Sequence, residues 1–128
     1  MNKATTQTIS INAEYSRVFD YISNPLTQKE WAINFMKDVK ETDDGFIAVT
    51  PFGEMPLEFM ADKQTGIIDI ILGGGKPIPT RLIKNKNGCE YMFTLFQPNG
   101  MPDIAWEQEG IPGLVTELKE LKSILENK

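Results

Sequence analysis

The sequence predicts an α+β fold in which a strongly curved antiparallel sheet of seven strands wraps a long C-terminal helix. From Phe35 to Gln97 the apolar residues recur with a period of two, and turn signals arrive at short intervals. One strand and two short helical segments precede that run, and an apolar stripe at helical spacing follows it. With 128 residues the chain has room for one domain, 1–128, which can bury roughly two-thirds of its unfolded surface.

Taken in order, Thr5 to Ile11 is rich in Thr and Ile, whose branched side chains suit a pleated surface, and reads as the first strand. A helix follows, with Asn12 as its cap, Glu14 in its first turn, and Tyr15, Val18, Phe19 and Ile22 on one face. Ser23-Asn24-Pro25 ends it, and Pro25 opens a second short helix through about Ile33, with Leu26 and Trp31 as its large apolar residues.

Turn signals at Asp43-Asp44-Gly45, Pro51-Phe52-Gly53, Lys63 to Gly66, Gly73 to Pro77 and Asn85 to Gly88 then separate six strands, near 35–41, 45–51, 54–62, 67–72, 78–84 and 89–97. Alternation places Met55, Leu57 and Phe59 on one side of their strand and Glu58, Met60 and Asp62 on the other. Cys89, Tyr91, Phe93 and Leu95 likewise share a side. A slip of one residue would exchange the inward and outward sets.

The closing stripe, Ile111, Leu114, Val115, Leu118, Leu121 and Leu125 among Glu and Lys, is the pattern of a helix laid across a sheet. Asp103 to Glu109 could add a turn or two before it. Gly110, Pro112 and Gly113 intervene, and Pro112 in a straight helix would lose a hydrogen bond and crowd the carbonyl of Gln108, which predicts a kink or break.

Composition narrows the function. No stretch approaches the roughly 20 apolar residues that cross a bilayer, and MNKATTQT lacks the apolar centre of a signal peptide, so a cytoplasmic location is expected. A net charge of −5 without a run of Lys or Arg argues against nucleic acid or an anionic membrane as a partner. The single cysteine, Cys89, has no internal disulfide partner and reads as a small buried hydrophobe.

The order strand, two short helices, six-strand meander and long helix resembles the START-like helix-grip (SRPBCC) superfamily, in its polyketide cyclase-like branch. TISINAEYSRVFDYISNP looks like that superfamily's opening strand and helix, with Trp31 at the usual aromatic position after the second helix. DDGFIAVTPFG resembles its second hairpin, and CEYMFTLFQPNGMPDIAWEQ with ELKELKSILE its last strand, exit loop and final helix. The GIPG interruption departs from the continuous helix of such relatives. The resemblance implies a cavity between sheet and helix of the kind used for sterols, lipids, polyketides and plant hormones. Members include carriers, cyclases, hydrolases and chaperone regulators, so the fold alone does not choose a function.

The chain contains no His, which removes the commonest general base and metal ligand and any Ser/His/Asp or Cys/His arrangement. Glu54 with Glu58, and Asp103 with Glu107, have spacings that keep carboxylates on one side of an element, although solvated faces explain them more simply. No metal loop or cysteine cluster is present, so no metal and no cofactor is expected. Gly73 to Lys76 looks superficially like a phosphate loop but leads through two prolines into a strand, where a hairpin loop is the simpler reading. The aromatic and neighbouring residues are the more informative set. Trp31, Phe46, Met55, Leu57, Phe59, Tyr91, Phe93 and Trp106 are the pocket candidates, each of which could equally fill the core. Arg81 joins them as an anion partner if its register turns it inward; otherwise it pairs with Asp69 on the surface. The segment 101–111 could also lie over the cavity mouth as a lid, with Gly110 and Gly113 as its hinges.

Three functions stay open. A binder of a small apolar or amphipathic molecule predicts a cavity holding one or two polar groups. An enzyme, cyclase- or hydrolase-like, predicts Tyr91, Arg81 or a carboxylate converging on one substrate position. An interaction module or homodimer predicts a contiguous outer patch around Met60, Met92 and Phe96.

Overall fold

The computed structural model describes residues 1–127. Strand β1 (Ala4–Ile11) leads into α1 (Tyr15–Ile22), a 3-10 turn at Pro25–Thr27 and α2 (Gln28–Trp31). The meander follows as β2 (Asp38–Thr42), β3 (Gly45–Thr50), β4 (Gly53–Asp62), β5 (Ile67–Leu72), β6 (Ile78–Asn85) and β7 (Gly88–Phe96). The chain closes with α3 (Asp103–Ala105), a π-helical turn at Trp106–Gly110 and α4 (Ile111–Glu126). The strands form one seven-stranded sheet in the order β1-β7-β6-β5-β4-β3-β2, every pair antiparallel, so the first strand lies beside the last.

The buried residues come from three surfaces. The concave sheet face supplies Leu57, Ile68, Ile70, Leu82, Cys89 and Tyr91, α1 supplies Val18, Phe19 and Ile22, and α4 supplies the stripe Leu114, Leu118, Leu121 and Leu125. Each element therefore hides one face and leaves the other to water, as its period requires. At Gly66 the meander needs a glycine. Gly66 has φ 81, and a Cβ there would lie 1.9 Å from the Leu82 carbonyl oxygen. Its own carbonyl accepts the Leu82 N–H at 2.8 Å, which ties the β4–β5 turn to β6.

Three local expectations are corrected. Asn12 does not cap α1: its N–H donates to the Glu126 carboxylate at 2.7 Å, and the chain turns into the helix only after Glu14, which has extended angles and offers no capping bond. The second strand starts at Asp38 rather than at Phe35, because the N–H groups of Phe35 and Met36 turn back to the Ala32 carbonyl at 3.1 and 2.8 Å. These two residues form a loop after α2 and face a different neighbourhood, described below.

The third concerns GIPG, which does not break the helix: a π turn at Trp106–Gly110 interrupts its regular α pattern instead. The chain widens by one residue: the Ile111 N–H reaches the Trp106 carbonyl five residues back, a π-type bond. Pro112 follows at once as the second residue of α4, so the proline that cannot make a regular helix bond sits beside the change in bonding pattern. Gly110 itself has ordinary helical angles, φ −63 and ψ −57, so its backbone freedom as a hinge is unused.

Cys89 is buried, with its thiol 3.6 Å from the Ala13 carbonyl oxygen. Burial, with a smaller contribution from the charge of Glu90, pushes the thiol up to about 11, which keeps it protonated and unreactive near neutrality. Among the described residues no helix is long and apolar enough to cross a membrane.

Candidate functional site

A cavity of about 580 Å³ opens between the concave sheet face and the C-terminal helix. The sheet contributes Leu72, Ile78, Phe93 and Leu95; the helix contributes Trp106, Gly110, Leu114 and Glu117. The α2 region closes a third side with Gln28, Trp31, Phe35 and Met36, and Pro51, Phe52 and Met101 stand around it. The π turn has a direct consequence here. It sets Trp106, buried to 2 % exposure, against the cavity while α4 still presents its leucine stripe to the sheet.

The wall is mainly apolar and aromatic, and its few polar groups are unusual. Gln28 and Trp31, three residues apart on α2 and therefore on one face, are both buried, and neither Gln28 Oε1 nor Trp31 Nε1 has a hydrogen-bond partner. The Tyr91 hydroxyl is a third such atom, deeper in the core. Burial raises the Tyr91 phenol above its ordinary value; the Thr80 hydroxyl beside it pulls weakly the other way but donates its own proton to the Ile68 carbonyl at 2.6 Å. The rings pack edge to face, with Trp31 6.3 Å from Tyr91 and 6.4 Å from Phe93 between centroids.

Glu117 is the charged member of this wall. It is 8 % exposed, and its Oε2 accepts the Asn34 N–H at 2.9 Å. Burial holds its pKa above the usual value of 4.5, opposed by the backbone N–H groups of Asn34 and Phe35. A raised folded-state pKa means that the native protein binds this proton more tightly than the unfolded chain does. Its contribution to stability is complete below 4.5 and is lost as pH rises through the folded-state value. Glu117→Gln keeps an acceptor for Asn34 and removes the titration. The stability of the variant relative to the parent is therefore expected to grow with pH across that window and then level off, as read by urea unfolding at a series of pH values. A constant difference would mean that Glu117 is well solvated.

The nine sequence candidates divide. Trp31, Phe93 and Trp106 stand in the cavity wall. Leu57 and Tyr91 are in the closed core, and Phe46, Met55 and Phe59 are partly buried against it. Arg81 is a correction: it is exposed on the outer face, opposite Ile67 rather than Asp69, and its Nε donates to the Thr65 carbonyl at 3.2 Å. Asp69 lies opposite Pro79, so Arg81 is neither turned inward toward a ligand nor set directly across from Asp69. The carboxylate pairs are surface features: Glu54 meets Lys40 at 3.1 Å, and Lys3 reaches both Asp103 and Glu107, at 3.2 and 3.8 Å. The outer residues Met60, Met92 and Phe96 form no continuous patch, since Glu58, Asp69, Arg81 and Glu90 project from the same face between the apolar positions. Among the described residues no group of three His, Cys, Asp or Glu side chains is placed to hold a metal ion.

Gln28 and Glu117 were not among the candidates. Glu117 had a signal, because it falls inside the leucine stripe, three residues after Leu114 and four before Leu121, where a solvated glutamate does not belong.

Seven antiparallel strands curled around a long C-terminal helix, with a cavity between them, define the START-like helix-grip fold, and this chain has it. A START superfamily protein from Mycobacterium smegmatis superposes with a TM-score of 0.67 at 11 % identity, covering 99 % of each chain. The Zhui aromatase/cyclase from a Streptomyces species gives 0.73 at 11 %, covering 98 % of this chain and 94 % of that one. A Bacillus halodurans protein gives 0.72 at 15 %, covering 98 % and 100 %. No protein-family model and no curated protein matches the sequence.

Proposed function

We propose that this chain is a single cytoplasmic binding unit for a small, largely apolar molecule, held between the sheet and the C-terminal helix. The observation that carries the reading is the cavity of about 580 Å³, a volume within the range of drug-sized ligand sites, whose apolar wall contains buried polar atoms without partners. An interior that had closed for stability alone would fill the space with side chains and satisfy or remove those atoms. The same wall weakens an enzymatic reading. Arg81 is outside it and Tyr91 lies behind it, which leaves the two glutamates Glu109 and Glu117 as the acid–base groups in the wall and brings neither of the other two named candidates to them.

The chain carries its own reporter. It has two tryptophans, Trp31 and Trp106, and both stand in the cavity wall. Binding of an apolar molecule against these rings is expected to change the intensity of tryptophan emission, with the change divided between Trp31→Phe and Trp106→Phe variants. Native mass spectrometry of protein purified from its own host identifies what is retained. If the host protein is empty and no apolar probe alters the emission, the binding reading is wrong.

A further inference from the structure

The cavity has a polar address within an otherwise greasy wall. Gln28 is 5 % exposed and Trp31 1 %, and Gln28 Oε1 and Trp31 Nε1 are without partners. One is an acceptor and the other a donor, and one turn of α2 sets both side chains on the same helix face, in the same cavity wall. Leaving two buried polar atoms unpaired is costly, and the group that satisfies both at once is one that donates and accepts through a single atom. A hydroxyl does this: its proton goes to the glutamine carbonyl, and its oxygen receives the indole N–H.

Charge restricts the choice further. The wall includes two glutamates, Glu109 and Glu117, and no lysine or arginine among the described residues. The buried Glu117 carboxylate is engaged by the backbone of the α2 loop and has no cationic side chain beside it. An anionic ligand would enter without a counter-charge and would face this carboxylate across a poorly solvated space.

Building on the binding function proposed above, we propose that the natural ligand is an uncharged apolar molecule bearing a hydroxyl group, which sits between Gln28 and Trp31, and that the cavity discriminates against carboxylates. Gln28 and Trp31 are then specificity-determining residues, and Glu117 is a charge filter.

The test is a matched panel on one aromatic body, naphthalene, naphthol, naphthoate and naphthylmethylamine, titrated calorimetrically near neutral pH into the full chain and into Gln28→Leu and Glu117→Gln. Naphthol is expected to bind at least about tenfold tighter than naphthalene, the effect of two hydrogen bonds to otherwise unpaired groups, and naphthoate weakest of the four. Gln28→Leu replaces a buried amide with a similar apolar shape and removes one of the two unpaired atoms. It is expected to bring the naphthol-to-naphthalene affinity ratio close to one. Glu117→Gln is expected to strengthen naphthoate binding severalfold relative to naphthol binding. If naphthalene binds but naphthol gains nothing, or naphthoate or the amine binds tightest, or Gln28→Leu keeps the preference, the hydroxyl assignment falls and the cavity function stands. If no member of the panel binds, both fall.

Discussion

Leu121→Ala is expected to lower stability by about 4–5 kcal/mol, and Leu114→Ala by only about 2–3 kcal/mol, although both remove the same atoms from the same buried stripe of α4. The difference follows from where the lost volume goes. Leu121 is 0 % exposed within the closed core between helix and sheet, so its truncation leaves a sealed void and forfeits the packing on all sides. Leu114 is also buried, at 3 %, but it stands in the wall of the existing cavity. Its truncation enlarges a space that is already open, so the transfer cost remains and most of the new-void cost does not. Urea unfolding of the two variants gives both numbers directly, provided the slope with denaturant is unchanged. Equal losses would mean that the space beside Leu114 is filled in solution. A saturating cavity ligand is further expected to recover more of the Leu114→Ala loss than of the Leu121→Ala loss, because only the first variant offers it new contacts.

The same contrast explains what could be read from the sequence. Strand order, turn positions and the inward set of β4 and β7 follow from a period of two interrupted by glycine and asparagine turns, a pattern that repeats over six strands and so corrects itself. The leucine stripe of α4 was legible for the same reason. Features that depend on a single residue's neighbours were not. Whether Arg81 faces Asp69 or Ile67 depends on the length of the Gly73 to Pro77 turn, which shifts the pairing by two residues without changing which face Arg81 occupies. Asn12 has the chemistry of a helix cap, but a contact with Glu126, far along the chain, engages its backbone first. Gln28 carries no sequence signal of burial, because glutamine is ordinarily exposed and only the packing of α2 under the C-terminal helix encloses it. Of the cavity wall's aromatic members Trp31, Phe93 and Trp106 were legible and Phe35 and Phe52 were not, and its polar members were hidden.

The π turn is the clearest case of a local rule that needed its tertiary partner, and it carries the second large effect. Gly110→Ala is expected to cost about 1–3 kcal/mol, the range for forcing extra atoms into a packed site. Gly113→Ala, only three residues away, is expected to raise stability by up to about 1 kcal/mol through helix propensity. A Cβ at Gly110 would stand 2.8 Å from Cε3 and 3.3 Å from Cζ3 of the buried Trp106 ring, so the ring must shift to admit it. At Gly113 the nearest atom is Asn34 Nδ2 at 3.6 Å, an ordinary contact with an exposed side chain. Both positions are helical, so propensity alone predicts the same sign for both. The opposite signs isolate the indole as the cause. A double-mutant cycle makes the attribution direct: in a Trp106→Leu background the ring is gone, and Gly110→Ala should become neutral or favourable. If Gly110→Ala stabilises the parent, or still destabilises the Trp106→Leu chain, the glycine serves something other than the seating of Trp106. The cycle also bears on binding, because the ring that Gly110 accommodates is part of the cavity wall. Gly110→Ala should therefore alter ligand affinity together with stability.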